Sequence, residues 1–190
     1  MHIFWYRRDL RTFDNTALHH ALEENKEVQP IFIFDKNIVE ELESNDARIN
    51  FIYTHLHKID LELKKYGSSL KVYYGNPVDV FREICRKVTV DSVYTNHDYE
   101  PYAINRDLEV KAMLRDFGVP FKTYKDQVIF ERNEVVKNDG KPYTVFTPFK
   151  NKWLLRFNET ACKVNSNSNF NNLKKSNYPF PNMEDLGFSS

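Results

Sequence analysis

The feature that most constrains the fold of this chain is a repeated alternation between short apolar runs and segments with helical periodicity. The runs are rich in β-branched and aromatic residues, as buried strands are, and they span residues 3–6, 28–34, 70–74, 90–95 and 119–124. Strands that alternate with helices pair in parallel through crossover connections. The sequence therefore predicts an α/β fold: a doubly wound parallel sheet of about five strands, sandwiched by helices.

Capping residues fix several helix boundaries. Asn76 precedes a proline and predicts the start of one helix, and Asp46 opens a longer helix that Gly67 ends. Asp14 is expected to cap the first helix, because it precedes the first residues with helical periodicity. These local signals place the charged loops of the chain between strands and helices.

The pattern changes after the fifth predicted strand, so residues 1–125 form the predicted α/β domain. Residues 126–160 hold short apolar pieces, an Asp-Gly turn and a closing helix expected over about 148–158. They predict an excursion that leaves the sheet and packs on another surface. Residues 161–190 are rich in Asn and Ser, which is typical of a linker between domains. We therefore expect the chain to be part of a longer protein.

Composition and charge argue against several classes of protein. The chain has 27 basic and 27 acidic residues and a formal net charge of zero, so no overall positive field draws DNA to it. Its five glycines are too far apart for a GxGxxG or Walker motif. Cys85, Cys162 and the histidines lack metal-ligand spacing, so we expect no metal site. No run is apolar enough for a membrane span and no signal peptide is visible, so we expect a cytoplasmic monomer without a membrane partner.

Two charged segments each follow a predicted strand: RRDLRTFDN after the first and TNHDYEPYAINRD after the fourth. The carboxyl ends of parallel strands meet at one edge of a sheet, which is where ligands bind in such folds. Two interpretations of the first segment stay open. Its side chains either tie the loop to its helix and to a neighbouring domain through charge-assisted hydrogen bonds, or contact a ligand directly. These side chains are Arg7, Arg8, Asp9, Arg11, Asp14 and Asn15.

Three segments resemble the DNA photolyase and cryptochrome family: YRRDLRTFDNTAL, NHDYEPYAINRD and KDQVIFERNEVVKNDGKPYTVFTPFKNKW. They stand in the family's order and cover most of residues 1–157. The resemblance implies the family's Rossmann-like amino-terminal domain, which holds a light-harvesting antenna chromophore. In the family, FAD and the site for UV-damaged DNA lie in a second, all-helical domain that these residues do not include. The resemblance therefore implies a domain of a light-driven DNA repair lyase that has no catalytic residue of its own and is inactive alone.

The resemblance also assigns roles at the carboxyl edge of the sheet. It implies that the first charged segment orders its loop and faces the helical domain, so some of its arginines should lack partners within this chain. Folate-binding members carry an Asn-Glu pair where this chain has Tyr102 and Ala103, which favours a deazaflavin or flavin antenna over folate. The residues expected to bind the antenna are Asp35, Lys36, Arg48, Asp98, Glu100 and Tyr102. Arg48 and Asp98 are the main expected contacts, and pairing of Arg48 with a nearby carboxylate is the open alternative.

Two other functions remain open. A cryptochrome-type photoreceptor would share this domain but would signal instead of repairing DNA, and the residues that distinguish the two lie in the helical domain. A self-standing nucleotide-binding α/β module, related to electron-transfer flavoproteins and stress proteins, would have no helical domain. The absence of a glycine-rich phosphate loop and the presence of the three family motifs argue against that module.

Overall fold

The fold is that of a computed structural model, which describes residues 1–159, 164–165 and 168–189. Its sheet has five strands, namely β1 (His2–Tyr6), β2 (Val28–Asp35), β3 (Lys71–Gly75), β4 (Ser92–Asn96) and β5 (Phe121–Tyr124). They lie in the order β3-β2-β1-β4-β5, and every neighbouring pair is parallel. The predicted parallel α/β sheet is confirmed.

The described residues form α1 (Thr16–Glu24), α2 (Lys36–Val39), α3 (Ala47–Lys64), α4 (Pro77–Lys87), α5 (Pro101–Asp116) and α6 (Phe146–Glu159). The side chains of Asp46 and Asn76 cap α3 and α4, as predicted. The cap of α1 is Asn15 instead of Asp14: its side chain accepts a hydrogen bond from the amide of Leu18 at 3.1 Å. Asp14 has a φ of 49°, a left-handed conformation that turns the loop one residue before the helix can begin.

The helices cover both faces of the sheet. Side chains of β1 alternate between the faces, so Phe4 and Tyr6 pack with α1 and α3, whereas Ile3 and Trp5 pack with α4 and α5. All four are buried. Each such side chain contributes about 1.5–3 kcal/mol when it leaves water. The two cores hold the carboxyl ends of the strands in fixed positions.

The end of the chain packs against the α/β domain where the structure describes it. The backbone amide of Lys174 donates to the carbonyl of Val28 at 2.9 Å, beside the start of β2. Apolar side chains of this segment enter the same core as α1 and α3; they are Leu173, Met183, Leu186 and Phe188. The linker expected over 161–190 is thus packed onto the domain over residues 168–189. The described residues do not include 160–163, 166–167 and 190. Cys162 is therefore outside them.

The segment between β5 and α6 contains no strand. In α6, Trp153 packs edge-on against Phe130 with ring centroids 5.4 Å apart. Other apolar side chains of α6 face solvent, with Phe146 73% and Leu155 54% exposed. None of the helices that the structure describes has the length and apolar character needed to cross a membrane.

Candidate functional site

A cavity of about 660 Å³ opens at the carboxyl edge of the sheet, beside the ends of β1, β2 and β4. Residues of α2, α3 and α5 complete its walls. Its apolar lining includes Trp5, Phe34, Ile38, Val39 and Ile52. The volume falls within the range of roughly 300–1,000 Å³ that is typical of small-molecule pockets.

Five of the six residues predicted to bind an antenna line this cavity. They are Asp35, Arg48, Asp98, Glu100 and Tyr102. The sixth, Lys36, lies in α2 and is not part of the lining. Arg7 and Arg8 of the first charged segment also line the cavity, although the resemblance gave them another role. The structure therefore brings together side chains from four separate parts of the sequence.

Asp35 and Tyr102 are joined across the cavity. The Tyr102 hydroxyl donates to Oδ2 of Asp35 at 2.7 Å and accepts from the side-chain amide of Asn37 at 3.1 Å. Asp35 is buried and its Oδ1 also caps α2 through the amide of Asn37 at 3.2 Å. Burial and the hydrogen bond to the carboxylate raise the pKa of Tyr102 to about 12. The tyrosine is therefore neutral at ordinary pH, and its hydroxyl is already engaged.

Arg106 is a residue of the cavity wall that sequence reasoning missed. Its guanidinium is buried in the wall of the cavity and lies 5.0 Å from the centre of the Trp5 ring. Nη1 is 4.0 Å from Oδ2 of Asp35, and Nη2 is 3.9 Å from Oδ2 of Asp98. The segment TNHDYEPYAINRD contains Arg106, but a charged residue on a helix is normally taken as solvent-facing. The only available signal was its position one helical turn after Tyr102.

Asp98 follows β4 and has a nearly buried carboxylate. Its nearest cations are Arg8 at 3.6 Å and Arg106 at 3.9 Å. Both distances exceed hydrogen-bond length. The backbone amide of Glu100 donates to Oδ1 of Asp98 over a long distance of 3.4 Å. Asp98 therefore retains capacity to accept a hydrogen bond from a ligand, and the cations beside it balance its charge.

Arg48 and Glu100 lie at the mouth of the cavity and are more exposed. Arg48 pairs with Asp46, its Nη2 lying 2.7 Å from Oδ2, and this pairing holds the pKa of the Asp46 carboxyl at about 2. The alternative interpretation of Arg48, a helix-start arginine bound to a nearby carboxylate, describes this geometry. Glu100 lies 3.3 Å from Arg8. The side chains of Arg48 and Glu100 do not contact Asp98, the second residue expected to be a main contact of the antenna.

Asp9 and Asn15 of the first charged segment are buried in a hydrogen-bond network at the sheet edge. Asp9 accepts from the backbone amide of Arg7 at 2.9 Å and from the side-chain amides of Asn15 and Asn96 at 3.0 and 2.6 Å. Asn96 ends β4, so the network joins the loop after β1 to the neighbouring strand. These contacts order the loop.

The three arginines of the same segment all have carboxylate partners within the chain. Arg7 binds both oxygens of Asp107, Arg8 lies near Asp98 and Glu100, and Arg11 binds Asp126 at 2.7 Å. The expectation that some of these arginines lack partners is therefore wrong. These carboxylates lie in the loop between β4 and α5, on α5 itself and in the segment after β5, all distant in sequence from the arginines. Asp14 accepts from the backbone amide of Asn165 at 2.8 Å.

The cavity combines apolar and aromatic walls with charged side chains, among them the carboxylate of Asp98 and the guanidinium of Arg106. This combination suits a flat, largely apolar ligand with a polar edge that both donates and accepts hydrogen bonds. Among the described residues, no group of three or more His, Cys, Asp or Glu side chains could hold a metal ion. The geometry is that of a binding site.

Comparisons with known proteins agree with the fold. The family model described as DNA photolyase matches residues 2–166. An uncharacterized 31.6 kDa protein of Synechococcus sp. strain PCC 6716 is 31% identical over 99% of this chain and 66% of its own length. A deoxyribodipyrimidine photo-lyase of another Synechococcus strain, ATCC 27144, is 29% identical over 80% of this chain and 31% of its own length. A Gallus gallus protein named cryptochrome-2 is also among the relatives.

A solved structure shows the same architecture. The archaeal photolyase of Sulfolobus tokodaii, described with two FAD molecules and a novel light-harvesting cofactor, superimposes with a TM-score of 0.68 at 34% identity. The match covers 80% of this chain and 34% of that one. The chain thus spans between about a third and two thirds of the length of these relatives. Because the family model matches most of its residues, the chain belongs to the DNA photolyase family and corresponds to its amino-terminal α/β domain.

Proposed function

We propose that this chain is the light-harvesting domain of a FAD-dependent deoxyribodipyrimidine photolyase and that the cavity binds its antenna chromophore. The observation that carries the proposal is the cavity itself, at the sheet edge where ligands bind in such folds, with Asp35, Asp98 and Tyr102 in its walls. Family membership argues against the unrelated nucleotide-binding module. Absorbing light and passing on the excitation are properties of the chromophore; the chain would hold it and exclude water.

The polar groups of the cavity favour a flavin or deazaflavin. Such rings carry an edge with an N–H donor beside carbonyl acceptors, and Asp98 can accept from the former while Arg106 can donate to the latter. Folate is disfavoured because Ala103 has no polar side chain and the Tyr102 hydroxyl is already bound to Asp35 and Asn37. The light-harvesting cofactor described for the Sulfolobus relative, a structure with two FAD molecules, makes FAD one of the candidates.

The remaining parts of the chain support a second domain. We infer that the excursion over 126–160 leads towards an all-helical domain that binds FAD and UV-damaged DNA. The exposed apolar side chains of α6, such as Phe146 and Leu155, give that domain a surface to pack on. Arg8 and Arg11, about half exposed beside the same edge, would then face the junction. The chain alone would not repair DNA.

Binding of separate chromophores tests the proposal. The chain is titrated with FAD, FMN, an 8-hydroxy-5-deazaflavin and methenyltetrahydrofolate, and fluorescence and equilibrium dialysis report binding. We expect a flavin or deazaflavin to bind at one site, and Asp98→Ala to weaken it at least about tenfold through loss of a charged hydrogen bond. Asp79→Ala, an exposed carboxylate on α4, is the matched control and should change nothing. Folate as the only ligand, or unchanged binding by Asp98→Ala, would contradict the assignment.

A repair assay tests whether this chain alone can repair DNA. UV-irradiated DNA is incubated with the chain under blue light, and the number of pyrimidine dimers is followed. We expect no loss of dimers, and measurable repair by the chain alone would contradict the proposal. Sequencing the gene beyond the codon of Ser190 should reveal a helical domain. Dimer repair by that longer protein would support a photolyase, whereas light-dependent signalling without repair would support a cryptochrome.

A further inference from the structure

The edge of the sheet at β5 carries a groove whose lining shares only Asp98 with the chromophore cavity. Two adjoining cavities of about 370 and 580 Å³ lie between β5 and α5 and share Leu108, Lys111 and Phe121 in their walls. Leu108 is 61% exposed there. Ala112 and Val119 extend the apolar wall. The groove is therefore a continuous, partly apolar channel along the last strand of the sheet.

The backbone of β5 is open along this channel. The backbone amide of Val93 in β4 donates to the carbonyl of Pro120 at 2.9 Å. The backbone amide of His97, just after β4, donates to the carbonyl of Tyr124 at 2.7 Å. Thr95 pairs with Thr123 in this register. In a parallel pair the backbone groups of alternate residues point towards the neighbouring strand, so those of residues 120, 122 and 124 face β4. The remaining amides and carbonyls, those of Phe121 and Thr123, point away from the sheet. β5 has β4 as its only neighbouring strand in the sheet that the structure describes.

The groove is lined by three basic and three acidic side chains, and the basic ones are those that lack a side-chain partner in the described part of the chain. Lys111, Arg115 and Arg132 line it, and none forms an ion pair with a carboxylate in the described part of the chain. No acidic residue lines the larger cavity. In the smaller cavity the carboxylates already have partners inside the chain; they are Asp98 with Arg106, Asp107 with Arg7, and Glu131 with His97 and Tyr99.

We propose that this groove binds an extended, acidic segment of a partner protein, which adds a sixth strand beside β5. An open edge strand offers both donors and acceptors, and another extended polypeptide backbone supplies the complementary set. Every second side chain of the segment would face α5, and the apolar ones among them would contact Leu108 and Phe121. Acidic side chains on that same face would pair with Lys111 and Arg115.

The same observations disfavour two other occupants. A nucleic acid backbone offers phosphate acceptors to Lys111 and Arg115 but no matching donors for the carbonyls of Phe121 and Thr123. A second copy of the chain that docked edge to edge would bring like charges from both copies of α5 together, which is destabilising. An acidic peptide satisfies both the backbone and the charges.

Short labelled peptides test the proposal. The probe is a fluorescein-labelled octapeptide, Val-Thr-Glu-Thr-Val-Thr-Glu-Thr, whose valine and glutamate side chains share one face of the strand, and fluorescence anisotropy with the full 190-residue chain reports binding. The controls are the same peptide with lysine in place of glutamate, and the same peptide N-methylated at every residue, which cannot donate to the strand edge. We expect the acidic peptide to bind at least about tenfold more tightly than either control, a difference that two exposed ion pairs or two backbone hydrogen bonds can supply. Amide hydrogen exchange should slow at Phe121 and Thr123.

Charge reversal makes the test specific to the groove. Lys111→Glu with Arg115→Glu, both exposed on α5, should reverse the preference towards the lysine peptide. Lys58→Glu, exposed on α3, is the matched control and should leave the preference unchanged. Three results would overturn the proposal: no binding of the acidic peptide up to about 1 mM, protection of amides elsewhere in the chain, or displacement of the peptide by single-stranded DNA bound at the same groove. These readouts are independent of chromophore binding.

Discussion

Replacement of Asp107 by Asn should be among the most destabilising single changes in this chain. The Asp107 carboxylate accepts from Nη1 of Arg7 at 2.5 and 2.6 Å and from Nη2 of Arg106 at 3.1 Å. The side chains of the two arginines are only 6% and 8% exposed. Burial lowers the pKa of the Arg7 guanidinium, and the charge of Asp107 opposes that effect. Asp107 is thus the nearest carboxylate to two buried cations, although Arg106 also has Asp35 and Asp98 within 4.0 Å.

The size of the effect follows from this burial. An Asn at position 107 keeps the shape of the side chain but removes its charge, so both guanidinium groups lose their main compensation. Breaking a buried ion pair by removing one partner costs about 3–5 kcal/mol. For a domain of this size, such a loss lowers the melting temperature by about 6–20 °C. The cavity should be affected as well, because Arg106 is part of its wall.

Urea denaturation followed by circular dichroism measures this loss directly. The matched control is Asp79→Asn, since Asp79 is 71% exposed and pairs with Arg82 on the surface of α4. The control should cost less than about 0.5 kcal/mol. If Asp107→Asn and Asp79→Asn destabilised the chain equally, the argument that Asp107 compensates buried charge would be refuted.

Three further changes test other parts of the structure. Asp60→Ala should cost about 1–3 kcal/mol in urea denaturation, because the buried carboxylate accepts from the amide of Leu70 at 2.9 Å, and an unchanged stability would contradict this. Phe188→Ala should cost about 3–5 kcal/mol, whereas Val164→Ala at an exposed position should cost almost nothing; equal effects would show that the end of the chain is not packed. Tyr102 has a folded-state pKa raised to about 12, so its contribution to stability is present below pH 10 and lost as the pH rises through 12. Unfolding across that range should show this loss in the wild type and not in Tyr102→Phe.

The order of strands and helices was predictable because its signals are local. Apolar runs, helical periodicity and caps such as Asp46 and Asn76 depend on neighbouring residues alone. The position of the site was predictable for a similar reason, since polar residues that follow strands meet at one edge of a parallel sheet. Asp35 and Asp98 were placed at the cavity by this rule.

Features that depend on distant contacts were not predictable. Arg106 is buried because Trp5 of β1, Asp35 at the end of β2 and Asp98 in the loop after β4 lie around it. The packed end of the chain has the composition of a linker, since its four buried apolar residues are spread among Asn, Ser and Lys residues without helical or strand periodicity. The one-turn helix α2 is too short for periodicity to show.

The beginning of α1 explains why the ligand cavity lies where it does. In nucleotide-binding α/β folds the free amides at the start of this helix commonly bind phosphate. Here side chains occupy those amides, since Asp126 accepts from Thr16 at 2.9 Å, Asn96 from Ala17 at 2.8 Å and Asn15 from Leu18 at 3.1 Å. Each acceptor comes from a different part of the chain: the segment after β5, the end of β4 and the loop after β1. A phosphate would have to displace all three side chains, which agrees with the absence of a glycine-rich loop. The cavity with aromatic walls and an exposed mouth at Arg48 is instead available to a ligand.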